Sequence, residues 1–333
     1  MSRSQTPLGH PNSGSPKTLR YGPNPCHIFP SPERTTPPPT PAMPAPSSSR
    51  WPTPHRAAIA LTMDNLGEAQ DVLRGSWPHP IGTHPSIANQ LPRMLDLLAR
   101  HRLRATYFVE AWSLGVYPEV VARLLREGHE VAWHGFQHEV WSGLSEEEER
   151  RNFEKSWRAL EEARLAAGAK EEVAETVWLE TYNGFRPPGG KVNEGTWELL
   201  REHGVDYVSP LGEFGMGKGG VVVLPFEWRS VDAFWYMEKF AGIRREHGER
   251  EEAHSPEEFR GWLMRKIDEV VEEGGFMSIL FHPFLTTSEE RFAVMEDVVK
   301  RLKEDERIWV APCREIAGWV KRHPEHFAQT PLA

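Results

Sequence analysis

The chain has 333 residues, among them 29 prolines, 13 tryptophans and two cysteines, and a formal charge of −9 at pH 7. Fifteen prolines lie in the first 55 residues, which carry a charge of +4, so the remaining residues carry −13. Two cysteines exclude a disulfide-stapled scaffold and a cysteine-rich zinc module. The acidic body argues against nucleic acid as a partner, and no apolar run of about 18 residues predicts a membrane span.

Residues 1–55 are rich in proline and serine and hold few apolar side chains. Such a segment buries too little apolar surface to offset its lost conformational entropy, so we expect a disordered tail. It could be a proline-rich ligand for a partner domain, or an extension without a role of its own. Residues 1–30 lack the apolar stretch of a secretory signal, so a cytoplasmic location is expected. Residues 56–333 form the predicted catalytic domain.

From residue 57 onward, short apolar runs alternate with amphipathic segments. The predicted strands are 57–64, 105–112, 129–135, 205–212, 221–228 and 276–283. One more strand is predicted to end within residues 184–190, at Arg186. The predicted helices are 89–103, 117–128, 145–168, 194–204 and 255–275. The glycine-rich segment 215–220 lacks the spacing of a phosphate-binding loop and is predicted to be a flexible loop. About seven strands alternating with helices predict a parallel sheet covered by helices, and the length favours one α/β barrel.

A pair of histidines follows the strand at 129–135. His134 and His138 lie four residues apart in the sequence HGFQH. Two imidazoles at this spacing can meet one metal ion if the segment turns tightly, and Glu139 could orient one of them. A surface or core pair of histidines is the alternative interpretation.

Three further polar residues follow predicted strands, where α/β barrels keep their chemistry. Asp64 ends the first strand and could be a base or a helix cap. Arg186, in RPPGG, could hold a carboxylate by a bidentate contact or form an internal salt bridge. His282, in LFHP, could act as a general acid.

Together these residues resemble the polysaccharide deacetylase family, carbohydrate esterase family 4, with its NodB homology domain. Asp64 in TMDN, the histidines of HGFQH, Arg186 in RPPGG and His282 in LFHP occur in the family's order. The resemblance covers residues 57 to about 320. It implies a distorted (β/α) barrel of about seven parallel strands, which agrees with the alternation of strands and helices.

The resemblance also implies a mechanism, the hydrolysis of the acetamide group of an N-acetylated sugar. Asp64 would be the general base, His282 the general acid, and Arg186 would hold Asp64 in orientation. His134 and His138 would bind a divalent metal, usually zinc, which polarises the carbonyl and activates a water molecule.

Four residues are predicted to bind substrate. Pro188 and Gly189 belong to the turn after Arg186, which the prolines stiffen and whose glycines allow another group to approach the backbone closely. Trp228 and Asp232, in PFEWRSVDAF, resemble the family's aromatic and acidic positions, which frame the pocket and tune the acid.

One position departs from the family. Its third metal ligand is usually a second aspartate directly after the base, and this chain has Asn65 there. An amide oxygen can bind a cation but lacks the charge that favours zinc, although Glu68 could replace it.

The departure leaves three predicted functions. Relatives that open cyclic amides or ureides depend less on the metal, and HGFQHE and LPFEWRSVDAF resemble that branch and the intracellular-type peptidoglycan deacetylases. We therefore predict a metal-assisted N-deacetylase acting on a carbohydrate, with a cyclic amide or ureide hydrolase as the first alternative. The second alternative is a catalytically inactive, glycan-binding barrel.

Overall fold

The structure is a computed structural model that describes residues 49–169, Trp178 and residues 181–328. The predicted disorder of residues 1–48 lies outside the described residues. In the described part of the chain, nine strands form one sheet and helices cover it.

The strands are β1 Ala57–Asp64, β2 Thr106–Val109, β3 Glu130–Trp133, β4 Gly184–Phe185, β5 Tyr207–Val208, β6 Gly215–Met216, β7 Val222–Val223, β8 Phe276–Phe281 and β9 Ile308–Val310. The helices are α1 Ala69–Leu73, α2 Pro85–Ala88, α3 Gln90–His101, α4 Ala111–Val116, α5 Pro118–Arg126, α6 Glu146–Ala169, α7 Thr196–Glu202, α8 Asp232–Tyr236, α9 Ala241–Glu246, α10 Pro256–Glu273, α11 Glu289–Glu304 and α12 Cys313–Arg322.

The sheet runs in the order β6-β7-β5-β4-β3-β2-β1-β8, and β9 also pairs with β1. The seven strands from β7 to β8 are all parallel, and they are the seven predicted strands. Strand β9, also parallel to β1, was not predicted. A parallel bridge between Val231 and Leu280 brings the chain after β7 back beside β8. The curled sheet with helices confirms the predicted distorted barrel.

One local prediction is wrong. The glycine-rich segment 215–220 contains strand β6, which pairs antiparallel with β7, followed by a 3-10 turn. Glycine is a poor strand former by itself, so the pairing partner decides the conformation here.

The helices cover the sheet with their apolar faces. Helix α3 buries Leu91, Leu95 and Leu98, which share one face at helical spacing. Helix α10 begins with a capping box in which Ser255 and Glu258 satisfy each other's backbone N–H groups. No helix among the described residues is long and apolar enough to cross a membrane.

The segment before β1 packs on the domain, although the sequence analysis assigns residues 49–55 to the tail. Trp51 is 1% exposed, and its ring centroid lies 5.4 Å from that of Phe327 and 6.3 Å from that of Trp309. Its Nε1 donates to the carbonyl oxygen of Gly274 at 2.9 Å. The packed domain therefore begins before the predicted boundary.

We expect Trp51→Ala to lower the free energy of unfolding by about 3–5 kcal/mol, because it empties a buried aromatic site. Urea denaturation followed by circular dichroism measures this change. Leu165→Ala is the control, because Leu165 is 63% exposed and its truncation should change stability by about 0.5 kcal/mol or less. Equal effects of the two substitutions would contradict a packing role for Trp51.

Candidate active site

One cavity of about 360 Å³ lies at the carboxyl ends of the parallel strands. Eight of the ten predicted site residues line it: Asp64, Asn65, His134, His138, Arg186, Gly189, Trp228 and His282. The two others contact this group from behind. Asp232 binds His282, and Pro188 packs beside the HGFQH turn, so Pro187 takes the place at the cavity wall that was predicted for Pro188.

A buried ion pair joins Arg186 to Asp64. Arg186 Nη1 donates to Asp64 Oδ1 at 2.8 Å, and the two side chains are 1% and 5% exposed. The remaining guanidinium N–H groups donate to the hydroxyls of Thr62, Ser209 and Ser278. The guanidinium is therefore fully bonded, and it holds Asp64 with Oδ2 free of this contact.

A second charged pair joins His282 to Asp232. His282 Nδ1 lies 2.5 Å from Asp232 Oδ1, and the His282 backbone N–H donates to Asp232 Oδ2 at 2.7 Å. Burial alone would lower the pKa of His282, but the charge and hydrogen bond of Asp232 outweigh it, and the net pKa is raised. Asp232 therefore favours the protonated form of the imidazole, with Nε2 as the nitrogen not bound to Asp232.

His134 is held as a neutral imidazole. Its Nδ1 lies 2.8 Å from the backbone oxygen of Arg186, which can only accept, so Nδ1 carries the proton. Nε2 is then unprotonated and lies 3.7 Å from Asp64 Oδ2. Burial lowers the pKa of His134 to about 3, so this contact is not an ion pair at neutral pH.

His138 lies beside His134 but has a partner of its own. The two ring centroids are 4.8 Å apart, and the rings are nearly perpendicular. The side-chain amide of Gln70 donates to His138 Nδ1, which places the ring proton on Nε2. Burial lowers the pKa of His138 well below its usual value.

The HGFQH segment is a tight turn, and this turn brings the rings of His134 and His138 side by side. Gly135 has a φ of 76° and His138 a φ of 68°, both in the left-handed region. Glu139 accepts the backbone N–H groups of Phe136 and Gln137. It shapes the turn, whereas the sequence analysis gave it a contact with a histidine ring.

Asn65 lines the cavity with the histidines, but its amide nitrogen is bound to a carboxylate behind it. Its Nδ2 donates to Glu110 Oε1 at 2.8 Å. Glu110 is fully buried, and burial raises its pKa to about 7 against the lowering effect of its hydrogen bonds. Glu68, the predicted substitute ligand, instead accepts from the Tyr117 hydroxyl and the Gly82 N–H, so it does not reach the cavity.

These donors do not complete the ligand set of a zinc ion. Asp64 Oδ1 is bound to Arg186, and Asn65, whose Nδ2 is bound to Glu110, offers only a neutral amide oxygen. In the part of the chain that the structure describes, no group of three or more His, Cys, Asp or Glu side chains is arranged to hold a metal ion. Zinc sites in proteins take at least three protein ligands. The predicted zinc stays a prediction, and the side chains as placed do not fit it.

The outer walls of the cavity are aromatic and apolar, with two cations among them. Trp228 packs edge-on against Phe226 and Phe240, with ring centroids 5.5 and 5.4 Å apart. Arg74 and Lys239 also line the cavity and are exposed, and neither forms an ion pair within the described residues. The outer wall of the cavity is therefore positively charged, whereas the domain as a whole is acidic.

Sequence reasoning missed four residues that border this site: Glu110, Gln70, Arg74 and Lys239. Glu110 directly follows β2, and a carboxylate after a strand is the same signal that identified Asp64. The other three lie on or beside short helices, and no sequence pattern indicates that these helices face the cavity.

Comparison with known proteins agrees with this arrangement. A family model described as polysaccharide deacetylase matches residues 53–208. A peptidoglycan-N-acetylglucosamine deacetylase of Bacillus cereus is 27% identical over 35% of this chain and 48% of its own length. A peptidoglycan-N-acetylmuramic acid deacetylase of Bacillus subtilis is 29% identical over 42% of this chain and 23% of its own length. The chain thus matches less than half the length of these two relatives.

Solved structures share the whole described fold. A Mycobacterium smegmatis protein assigned to the polysaccharide deacetylases superimposes with a TM-score of 0.64 and 25% identity, over 85% of this chain and 96% of that one. An allantoinase superimposes with a TM-score of 0.65 and 18% identity, over 84% of this chain and 96% of that one, and shows the fold alone. The motifs, the curled parallel sheet and these matches lead to one conclusion: residues 53–208 are similar to the polysaccharide deacetylase family, and the described fold is shared with these solved structures.

Proposed function

We propose that the chain hydrolyses carbon–nitrogen bonds and removes the acetyl group from N-acetylated sugars of the chitin or peptidoglycan type. The observation that supports this is the pairing of two opposite charges in one cavity. Asp64 is fixed by the cation Arg186, and His282 is fixed by the anion Asp232. A base and an acid held in opposite protonation states are what amide hydrolysis requires.

In this proposal Asp64 Oδ2 takes the proton of the attacking water. Oδ2 and His134 Nε2 are both acceptors and lie 3.7 Å apart, so one water molecule can donate to both. That water is held with its oxygen lone pairs toward the cavity, where the acetyl carbonyl would lie. A divalent ion, if one is bound, would add polarisation of that carbonyl.

His282 supplies the second proton transfer. The amine leaves only when its nitrogen is protonated, and the imidazole held by Asp232 has the proton to give. Arg186 takes no part in the proton transfers. It positions Asp64 and carries the carbonyl that sets the tautomer of His134.

The cavity limits the size and charge of the substrate. A volume of about 360 Å³ lies at the small end of the range for ligand pockets, which suits one sugar ring against Trp228. Arg74 and Lys239 favour a substrate with a carboxylate near the acetamido group. N-Acetylmuramic acid has such a group, and N-acetylglucosamine has none.

A second function has support from one feature of the site. The incomplete zinc ligand set suits the hydrolysis of a cyclic amide or ureide, the first alternative from the sequence, because the relatives that this alternative resembles depend less on a metal. Asp64 and His282 would act in the same way on a ring amide. Substrate tests separate the two proposals.

The first test is acetate release from N-acetylated chito-oligosaccharides and peptidoglycan fragments. We expect Asp64→Asn to reduce kcat by about 10²–10⁴-fold, because an amide cannot accept the water's proton. Asp96→Asn makes the same chemical change at a carboxylate that is 60% exposed on α3 and should leave kcat unchanged. Opening of hydantoin-type rings without acetate release would favour the alternative, and turnover of neither would indicate a binding protein.

The second test is the pH dependence of kcat. His282 must be protonated, so activity is present below its pKa and is lost as pH rises through it. Asp232 raises that pKa, so Asp232→Asn should move the alkaline limb of the profile to lower pH. An alkaline limb that stays in place in Asp232→Asn would rule out His282 as the acid.

The third test compares N-acetylmuramic acid with N-acetylglucosamine as substrates. We expect Arg74→Gln and Lys239→Gln each to raise KM about fivefold for the acidic sugar alone, since an exposed charge pair contributes up to about 1 kcal/mol. Lys300→Gln, on α11 and away from the cavity, is the control. Equal changes for both sugars would show that the cations do not select for a carboxylate.

A further inference from the structure

A buried amide and a buried carboxylate face each other behind Asp64. Asn65 Nδ2 donates to Glu110 Oε1 at 2.8 Å, and the backbone N–H of Leu66 donates to Glu110 Oε2 at 3.0 Å. Glu110 is 0% exposed and Asn65 is 7% exposed. Because both carboxylate oxygens accept, the side chain at position 65 presents its NH₂ group to Glu110.

The backbone around Asn65 is fixed as firmly as its side chain. Its φ is 63°, in the left-handed region that asparagine tolerates better than most residues. The Tyr107 hydroxyl donates to the Asn65 carbonyl at 2.9 Å, and the Ser113 hydroxyl donates to the Leu66 carbonyl at 2.7 Å. Turning this loop would leave buried polar groups unpaired, which is unfavourable.

We infer that Asn65 and Glu110 form one amide–carboxylate unit that holds the carboxylate group outside the cavity. The cavity therefore has a low affinity for divalent metal ions. The NH₂ group of Asn65 is bound to Glu110, so position 65 offers a cation only a neutral amide oxygen. The carboxylate that would attract a cation belongs to Glu110, which does not line the cavity. The inference concerns metal affinity and does not depend on which amide is hydrolysed.

The same geometry allows the unit to be reversed. In the double variant Asn65→Asp/Glu110→Gln, the amide lies at position 110 and the carboxylate at position 65. The new amide can donate to the new carboxylate, and its oxygen can accept from the Leu66 N–H. The hydrogen bond between positions 65 and 110 is kept, the Leu66 N–H keeps its acceptor, and the charged group moves to the side of the unit that lines the cavity with His134 and His138.

The single variant Asn65→Asp differs from the double variant in one respect. It places two carboxylates at hydrogen-bond distance in a buried site, where both cannot be ionised without strong repulsion. It therefore gains a ligand but loses stability, whereas the double variant gains the ligand alone.

The test is zinc binding, measured by isothermal titration calorimetry, together with thermal unfolding of the metal-free proteins. We expect the double variant to bind zinc about tenfold or more tightly than the wild-type protein and to unfold at the wild-type midpoint. Asn65→Asp alone should unfold at a lower temperature. His138→Ala in the double-variant background should remove the gain, which would locate the bound zinc at this site.

Tight, near-stoichiometric zinc in the wild-type protein would overturn the inference. So would a double variant that binds zinc no better than the wild type. If Asn65→Asp alone matched the double variant in both affinity and unfolding midpoint, Glu110 would have no part in the unit. All of these measurements are made without substrate, so they are independent of the outcome for deacetylation.

Discussion

The buried ion pair between Arg186 and Asp64 is the interaction on which the cavity depends. Taking both charges out of water is unfavourable by several kcal/mol per ion, and the structure offsets this by bonding every face of the guanidinium. Its partners are Asp64 and Thr62 on β1, Ser209 after β5 and Ser278 on β8. The side chain of Arg186, which follows β4, therefore links the end of β5 to β1 and β8, from which three other strands separate it in the sheet. Any change that loosens the curl of the sheet also moves the proposed base.

The partners of the two histidines at the ends of β3 and β8 set which ring nitrogens carry protons. The carbonyl of Arg186 binds His134 Nδ1 and leaves Nε2 unprotonated, while Asp232 raises the pKa of His282 and so favours its protonated form. Two imidazoles in one cavity thus differ in pKa, because a neutral acceptor holds His134 and an anion holds His282. The sequence alone shows two histidines after strands, and neither motif indicates which of them carries a proton.

The order of elements and the main polar residues could be predicted because each rests on a local pattern. Strand β1 spans the predicted residues 57–64, since a continuous apolar run ended by Asp64 is typical of a buried strand. Such local patterns do not predict how segments that are distant in the sequence pack against each other. Nothing local indicates that Trp51 is covered by the end of the chain. Pro187 and Pro188 are adjacent, and only the turn decides which one faces the cavity.

Three carboxylates lie around this cavity, and their partners give them three different roles. Asp64 is bound to a permanent cation, so it stays available as an acceptor. Asp232 is bound to an imidazole, so it holds a proton in place on another group. Glu110 accepts from the amide of Asn65 and from the Leu66 N–H, so it fixes the loop that follows the base. A cation attracted to the cavity finds neutral nitrogens and one carboxylate already paired with arginine. The distribution of partners, rather than the number of acids, therefore decides whether this site activates water with a metal or with a base alone.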